Sequence, residues 1–501
     1  MKLFKKFASF VLAFAMVMAI AMPSVVKAAG NGSITITKAK AGHTFEAYQI
    51  FAGDVSGKTL SNLKWGNGVS TEGQTALGDA KTKAASLNDA SAAKDFAYEV
   101  SKYLATAAKE TNVFNNDVYV IDGLAPGYYL VKDKDGTVPQ AQAYTKFILE
   151  VVGNDVSAAV KSNVPTSEKK VMDTNDSTGE TTGWQDSADY DIGDKVPFQL
   201  TGNVAQDYND YKGVYQLVFH DTLSDGLTVD RNSFKVYKND SDDALDADKY
   251  EVNITNDHNF TVTIKDVKTL GSDVSKVRVE YTATLNENAV IGAVGNPNKM
   301  YMEFSNNPNN EQGGDKGQTP EDKVIVFTYK VHINKYDSRR VPLTGAAFKL
   351  EKVLADGSKK TVKEYTITES EDDQERTAFE FTGLDDGEYI LTETVTPDGY
   401  NTMDPVKFSI SATHDKKSDD PKLTDLNGNP VDGEIAFSTK VSTGTLTAGV
   451  INYKGSELPS TGGMGTTVLY VAGTIMILAA GVFLVMTVSY THLRAHETVL
   501  D

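Results

Sequence analysis

Two apolar segments frame this chain and limit what can fold between them. The first runs from Phe7 to Met22 behind a basic start of Lys2, Lys5 and Lys6. Pro23 ends it, and Val26-Lys27-Ala28 offers the small residues that a signal peptidase reads, so cleavage is predicted after Ala28. This core is too short to span a bilayer as a helix. The second, from about Val468 to Val488, is long enough. What lies between them is exported, and it contains no cysteine. Such a chain must resist unfolding by some means other than disulfides.

The net charge of −19 argues against nucleic-acid binding, which needs a basic face. The remaining length suits about three domains at roughly 150 residues each. The pattern is strand-rich throughout. Residues 29–163 open on the alternation Ile34-Thr35-Ile36-Thr37, followed by a strand over 44–51. A helix is predicted over about 84–109, with Phe96, Val100 and Tyr103 at helical spacing. Strands return at 118–121, 128–132 and 144–152. Residues 164–319 alternate short strands with Asp/Asn/Gly turns, the pattern of an antiparallel sandwich. Residues 320–456 are again strands, the first predicted over 324–333. The fold class expected is mainly β: tandem immunoglobulin-like sandwiches, the first with some helix, plus an N-terminal signal helix (1–28) and a C-terminal transmembrane helix within 457–487.

Leu458-Pro459-Ser460-Thr461-Gly462 stands just before the second apolar segment. The string resembles the LPXTG sorting signal of Gram-positive surface proteins. The resemblance implies that a sortase cysteine cuts between Thr461 and Gly462 and passes the threonyl acyl group to an amine. Residues 488–501, read VSYTHLRAHETVLD at their widest, look like translated sequencing-adapter sequence and are assigned no function.

The third block contains VHINKYDSRRVPLTGAAFKL, GEYILTETVTPDGY and GVINYKG. These strings resemble the B-type repeat domains of collagen adhesins and Gram-positive pilins. The resemblance implies an intramolecular isopeptide bond between Lys335 and Asn452, assisted by Glu393. Alternation is consistent with that reading. Val331, Ile333 and Lys335 share one face, as do Leu391, Glu393 and Val395, and Val450 and Asn452. Each polar residue points where its apolar neighbours point. Burial disfavours charge, so a buried lysine tends to the free amine and a buried carboxyl to the acid. Those are the states in which an amine attacks an amide carbon while an acid shuttles protons.

The second block opens PTSEKKV, carries GVYQLVFHDTLSDGL and ends KMYMEFSNNP. It resembles the middle domain of major pilins, which implies a second bond between Lys169 and Asn306 with Asp221 as the acid. Lys170 and Asn307 are the adjacent alternatives, because a one-residue slip exchanges faces. In the first block Ile34, Ile36 and Lys38 share a face and Asp133 occupies the place of Glu393, but no asparagine partner emerges.

Lys161 lies in the joint VSAAVKSNVPT. Its position resembles that of the pilin-motif lysine, although Ala159-Val160 replace the usual tyrosine-proline. Asp173, Asn175 and Asp176 resemble the start of an EF-hand loop, but the downstream Gly and Glu spacing is wrong, and they read as a turn. The seven histidines show no zinc spacing, and no nucleophile, phosphate-loop or dinucleotide signature occurs.

The chain thus resembles a major backbone pilin, implying a structural subunit and not an enzyme, with no cofactor and no metal. The expected partners are a pilin-class (class C) sortase joining Thr461 to Lys161 of the next subunit, identical subunits head to tail, minor pilins, a housekeeping sortase, peptidoglycan and host surface ligands. The expected location is a cell-wall-anchored pilus. The alternatives are a monomeric anchored adhesin and a minor or basal pilin.

Overall fold

Apolar–polar alternation decides most of the strands, and the sheets they form bury the apolar face of each. The computed structural model describes residues 32–432, 435–456, 458 and 464–496. The signal segment 1–28 and Pro459, Ser460, Thr461 and Gly462 lie outside the described residues. The architecture is mainly β, with paired sheets enclosing successive cores.

In the first block, Gly32–Thr37 pairs antiparallel with Val118–Leu124 and parallel with Val156–Ala159. A second sheet, built on Phe45–Ser56 and Gly127–Asp133, packs against it through Ile34, Ile36, Phe45 and Tyr119. Its other face packs on helices through Ile50, Phe51, Phe96 and Val100. The helix predicted over 84–109 is shorter, Ala90–Ser101, because Asp89 caps it by accepting from Ala92 N at 2.8 Å. A separate helix covers Ala80–Ala85, and the chain is already strand at Lys109–Thr111.

The second block has one sheet of Thr166–Val171, Lys195–Asn203 and Lys276–Leu285, with shorter strands at its edge. The facing sheet is built on Asn296–Ser305, flanked by Leu217–Leu223 and Asp322–Phe327. The strand predicted over 324–333 is therefore two. Asp322–Phe327 completes the second block, and the chain crosses at the buried Thr328 into Tyr329–Asp337 of the third. Val324 and Val326 face one core, and Ile325 and Phe327 the next.

In the third block Tyr329–Asp337 runs parallel to Thr445–Asn452, and a five-stranded sheet containing Ala347–Val353, Gly387–Val395 and Val406–His414 closes the sandwich. The second and third blocks touch backbone to backbone at Gly292 (φ 93°) and Gly444 (φ 59°). A Cβ on Gly292 would lie 2.4 Å from Thr443 C, so no larger residue fits there. Helix Met464–His496 contains the apolar stretch Val468–Ser489, whose mean hydropathy is 2.5. Its length and composition are those of a membrane span.

Candidate crosslinking sites

Three strands of the third block bring Lys335, Glu393 and Asn452 together. Tyr329–Asp337 alternates buried and half-buried residues along its length, placing Lys335 on the inner face with Val331 and Ile333. The parallel neighbour supplies Asn452, and Gly387–Val395 supplies Glu393 from the opposite sheet. The side chains of Lys335 and Glu393 are fully buried. The Lys335 amine donates to Asn452 Oδ1. Asn452 Nδ2 donates to both carboxylate oxygens of Glu393, at 2.9 and 3.0 Å. Lys335 Nζ lies 3.6 Å from Glu393 Oε1. Burial pulls the Lys335 amine below its ordinary range, and Glu393 only partly offsets this. A lysine amine pushed toward its neutral form thus lies against a carboxamide whose nitrogen is held by Glu393.

The second block contains a comparable constellation with a different membership. Lys169 is inward on Thr166–Val171, and its amine binds Asp221, which is inward on Leu217–Leu223. Both side chains are fully buried. Burial drives Lys169 down and Asp221 up, each partly opposed by the other. The pair is therefore pushed toward a free amine and a protonated acid. Tyr281 joins them: its hydroxyl accepts from Lys169 Nζ at 3.0 Å and donates to Asp221 Oδ1 at 3.1 Å. The same hydroxyl accepts from Asn298 Nδ2 at 2.7 Å. Asn298 is fully buried and its Oδ1 has no hydrogen-bond partner.

The asparagine expected here, Asn306, lies elsewhere. Asp221 pairs with Met300 and Leu223 with Asn298, so Asn306 is six residues beyond the Asp221 level. At 3.3–3.4 Å per residue that is about 20 Å. Asn306 faces the first block instead: its Nδ2 donates to Gln142 O at 3.3 Å, and its carbonyl accepts from Tyr144 N at 2.8 Å. The adjacent alternatives are also elsewhere. Lys170 is half-buried and ion-paired with Asp186 at 2.5 Å, and Asn307 binds Asp315 at 2.8 Å. A third asparagine on the inner face, Asn296, already has its amide satisfied by Val290 and Val326.

Sequence reasoning missed both Tyr281 and Asn298. Tyr281 shares the inward face of Lys276–Leu285 with Val277, Val279 and Ala283, and that alternation is visible in KVRVEYTATL. Asn298 shares the inward parity of Met300, Met302 and Phe304.

In the first block Lys38 takes a left-handed backbone (φ 62°) and is exposed, off the face of Ile34 and Ile36. Asp133 is buried against His43 Nδ1 at 2.6 Å, and among the described residues no lysine pairs with it. Lys161 follows strand Val156–Ala159 and is exposed, with no ion pair among the described residues. Leu458 is 86% exposed.

Two segments match family models. Residues 192–308 match the Gram-positive pilin backbone subunit 2, Cna-B-like domain, and residues 329–425 match the SpaA prealbumin-like fold domain. Among curated proteins the chain is similar to the trypsin-resistant surface T6 protein of Streptococcus pyogenes serotype M6, at 26% identity over 66% of this chain and 70% of the relative. Among solved structures it resembles the T6 backbone pilin of serotype M6 Streptococcus pyogenes, with TM-score 0.57 and 20% identity, covering 86% of this chain and 100% of that one. It also aligns with the full-length major pilin SpaD of Corynebacterium diphtheriae, with TM-score 0.49 and 18% identity over 85% and 98% of the two chains.

Proposed function

We propose that this chain, similar to Gram-positive backbone pilins, is a structural pilin subunit and not an enzyme, that it polymerises covalently, and that two internal isopeptide bonds strengthen each subunit. The carrying observation is the buried contact of the Lys335 amine with Asn452, whose amide nitrogen is held by Glu393. In each bond the lysine Nζ attacks the asparagine Cγ. The acid passes a proton to the departing nitrogen, ammonia leaves, and the amine loses a proton to the acid. The pairs are Lys335–Asn452 with Glu393, and Lys169–Asn298 with Asp221. In the second pair the unpaired Oδ1 of Asn298 is the oxygen on which negative charge develops.

Between subunits, a sortase transfers the Thr461 acyl group to Lys161 of the next copy. Exposure of Lys161 between two packed blocks supports this, because an amine entering another protein's active site must stand clear of its own core. The contact is heterologous and does not close, so it yields a fibre. The apolar stretch from Val468 holds the subunit in the membrane until transfer, and a last transfer to peptidoglycan fixes the fibre to the wall.

Intact mass and peptide mapping of the full-length chain in detergent test the internal bonds. Loss of one ammonia at each of the two pairs supports them, and an unmodified mass refutes them. Co-expression with a pilin-class sortase tests the polymer: a ladder that Lys161→Ala abolishes is the expected result. A ladder that persists in that variant overturns the role of Lys161, and no ladder in either leaves the monomeric anchored reading.

A further inference from the structure

Lys161 does not stand alone at its end of the first block. Strands Gly32–Thr37 and Val156–Ala159 run parallel with Thr37 opposite Ala159, and Val160 N donates to Thr37 O at 2.9 Å. Neighbouring strands lie about 4.8 Å apart, so Lys38 and Lys161 leave the sheet side by side. Lys38 and Lys40 are exposed, as Lys161 is, while Ala39 between them is buried.

The loop that carries Lys38 and Lys40 is fixed from below. The hydroxyl of the buried Tyr119 donates to Lys40 O at 3.1 Å and accepts from His43 N at 3.0 Å. Lys38 itself is held in the left-handed backbone region at φ 62°, where glycine or asparagine would sit at lower cost. A lysine kept in that conformation has a set point of departure from the surface.

The charge at this corner is uncompensated. Among the described residues Lys38, Lys40 and Lys161 make no ion pair, and Asp117, which precedes the Val118 opposite Thr37, makes none either. In a chain of net charge −19, three neighbouring unpaired lysines form a positive island. The segment brought to Lys161 by acyl transfer carries the opposite sign close to its end. After the last strand the chain reads KGSELPST from Lys454 to Thr461, and Glu457 is the acid within it. Glu457 lies four positions before Thr461, at most about 14 Å along an extended chain. The cation of this tail, Lys454, is seven positions back.

We propose that Lys38 and Lys40 receive Glu457 of the incoming copy, so that a second copy of this chain is recognised by charge before its Thr461 reaches Lys161. The inference rests on the reading of Lys161 as the acyl acceptor. The patch draws the tail in and holds Thr461 near the acceptor amine. Because the pairs are exposed, their effect weakens as salt screens them.

The test is the rate of ladder formation by the purified full-length chain in detergent with a pilin-class sortase. The chains compared are the wild type, Lys38→Glu combined with Lys40→Glu, Glu457→Lys alone, and all three substitutions together. Transfer of the same acyl group to hydroxylamine reads the cleavage step alone, and each ladder rate is divided by it. At low salt the double lysine variant and Glu457→Lys are each expected to slow the ladder about fivefold or more. The triple variant, with both charges exchanged, is expected to recover most of the rate. A Lys161-dependent ladder whose rate ignores Lys38 and Lys40 overturns this inference and leaves Lys161 as the acceptor, as does a triple variant no faster than the double. No ladder in the wild type, or one that persists in Lys161→Ala, removes the acceptor reading and this inference with it.

Discussion

Lys335 and Asn452 meet across two parallel, directly paired strands, with the Lys335 amine donating to Asn452 Oδ1. The strands are the first and last of the third block, so tension applied to the ends of the block pulls them past one another in shear. A covalent bond at this contact carries the load from one terminal strand into the other. The 117 positions separating the two residues then bear none of it.

Glu393→Gln keeps the size of the side chain and an acceptor for Asn452 but removes the proton shuttle. The expected outcome is a folded third block without ammonia loss at Lys335–Asn452, seen by peptide mapping. By analogy with a disulfide closing a loop of similar length, the missing crosslink costs about 4–5 kcal/mol, read as a lower unfolding transition.

Asn298→Ala and Asn306→Ala separate the two assignments of the second bond. Mass mapping is expected to lose the Lys169 crosslink in the first variant and keep it in the second. The Asn306 variant instead loosens the contact with Gln142, visible as faster hydrogen exchange across the first joint.

Tyr281→Phe removes the hydroxyl that accepts from Asn298 and Lys169 and donates to Asp221. Leaving those buried groups short of a partner costs about 1–3 kcal/mol. Bond formation in freshly refolded chain is expected to slow roughly ten- to hundredfold, followed by intact mass against time.

His43 gives the first block a pH dependence of known sign. Burial lowers the imidazole, but the Asp133 carboxylate and Gln142 raise it further, leaving it above its ordinary 6.5. A raised folded value contributes stability that is full below 6.5 and is lost as pH rises through the folded value. The stability difference between wild type and His43→Asn is therefore expected to shrink as pH rises above 6.5 and through the raised folded value. Hydrogen exchange over 137–147, where Asp133 Oδ2 accepts from Thr145 N at 2.6 Å, provides the readout. A difference that grows with pH contradicts the assignment.

Much of the molecule was legible in the chain itself. Alternation identified the faces of Lys335, Glu393 and Asn452 because each lies on a regular strand among apolar neighbours, where period two leaves a single inward parity. The mainly β class and the apolar terminal helix followed from local pattern in the same way. Other features depend on long-range pairing. The break of the strand expected over 324–333 at Thr328 reflects two different sheets competing for one extended run. Asn296, Asn298 and Asn306 share one parity, so the face of the strand cannot choose among them. Only the register of Asn296–Ser305 against Leu217–Leu223, set by packing two sheets on one core, puts Asn298 near the level of Asp221 and carries Asn306 off to the first block. The contact between the second and third blocks is likewise a tertiary product. Asp189 and Asp385 are nearly two hundred positions apart in sequence, and each is unremarked in its own strand or turn until the two blocks bury them together.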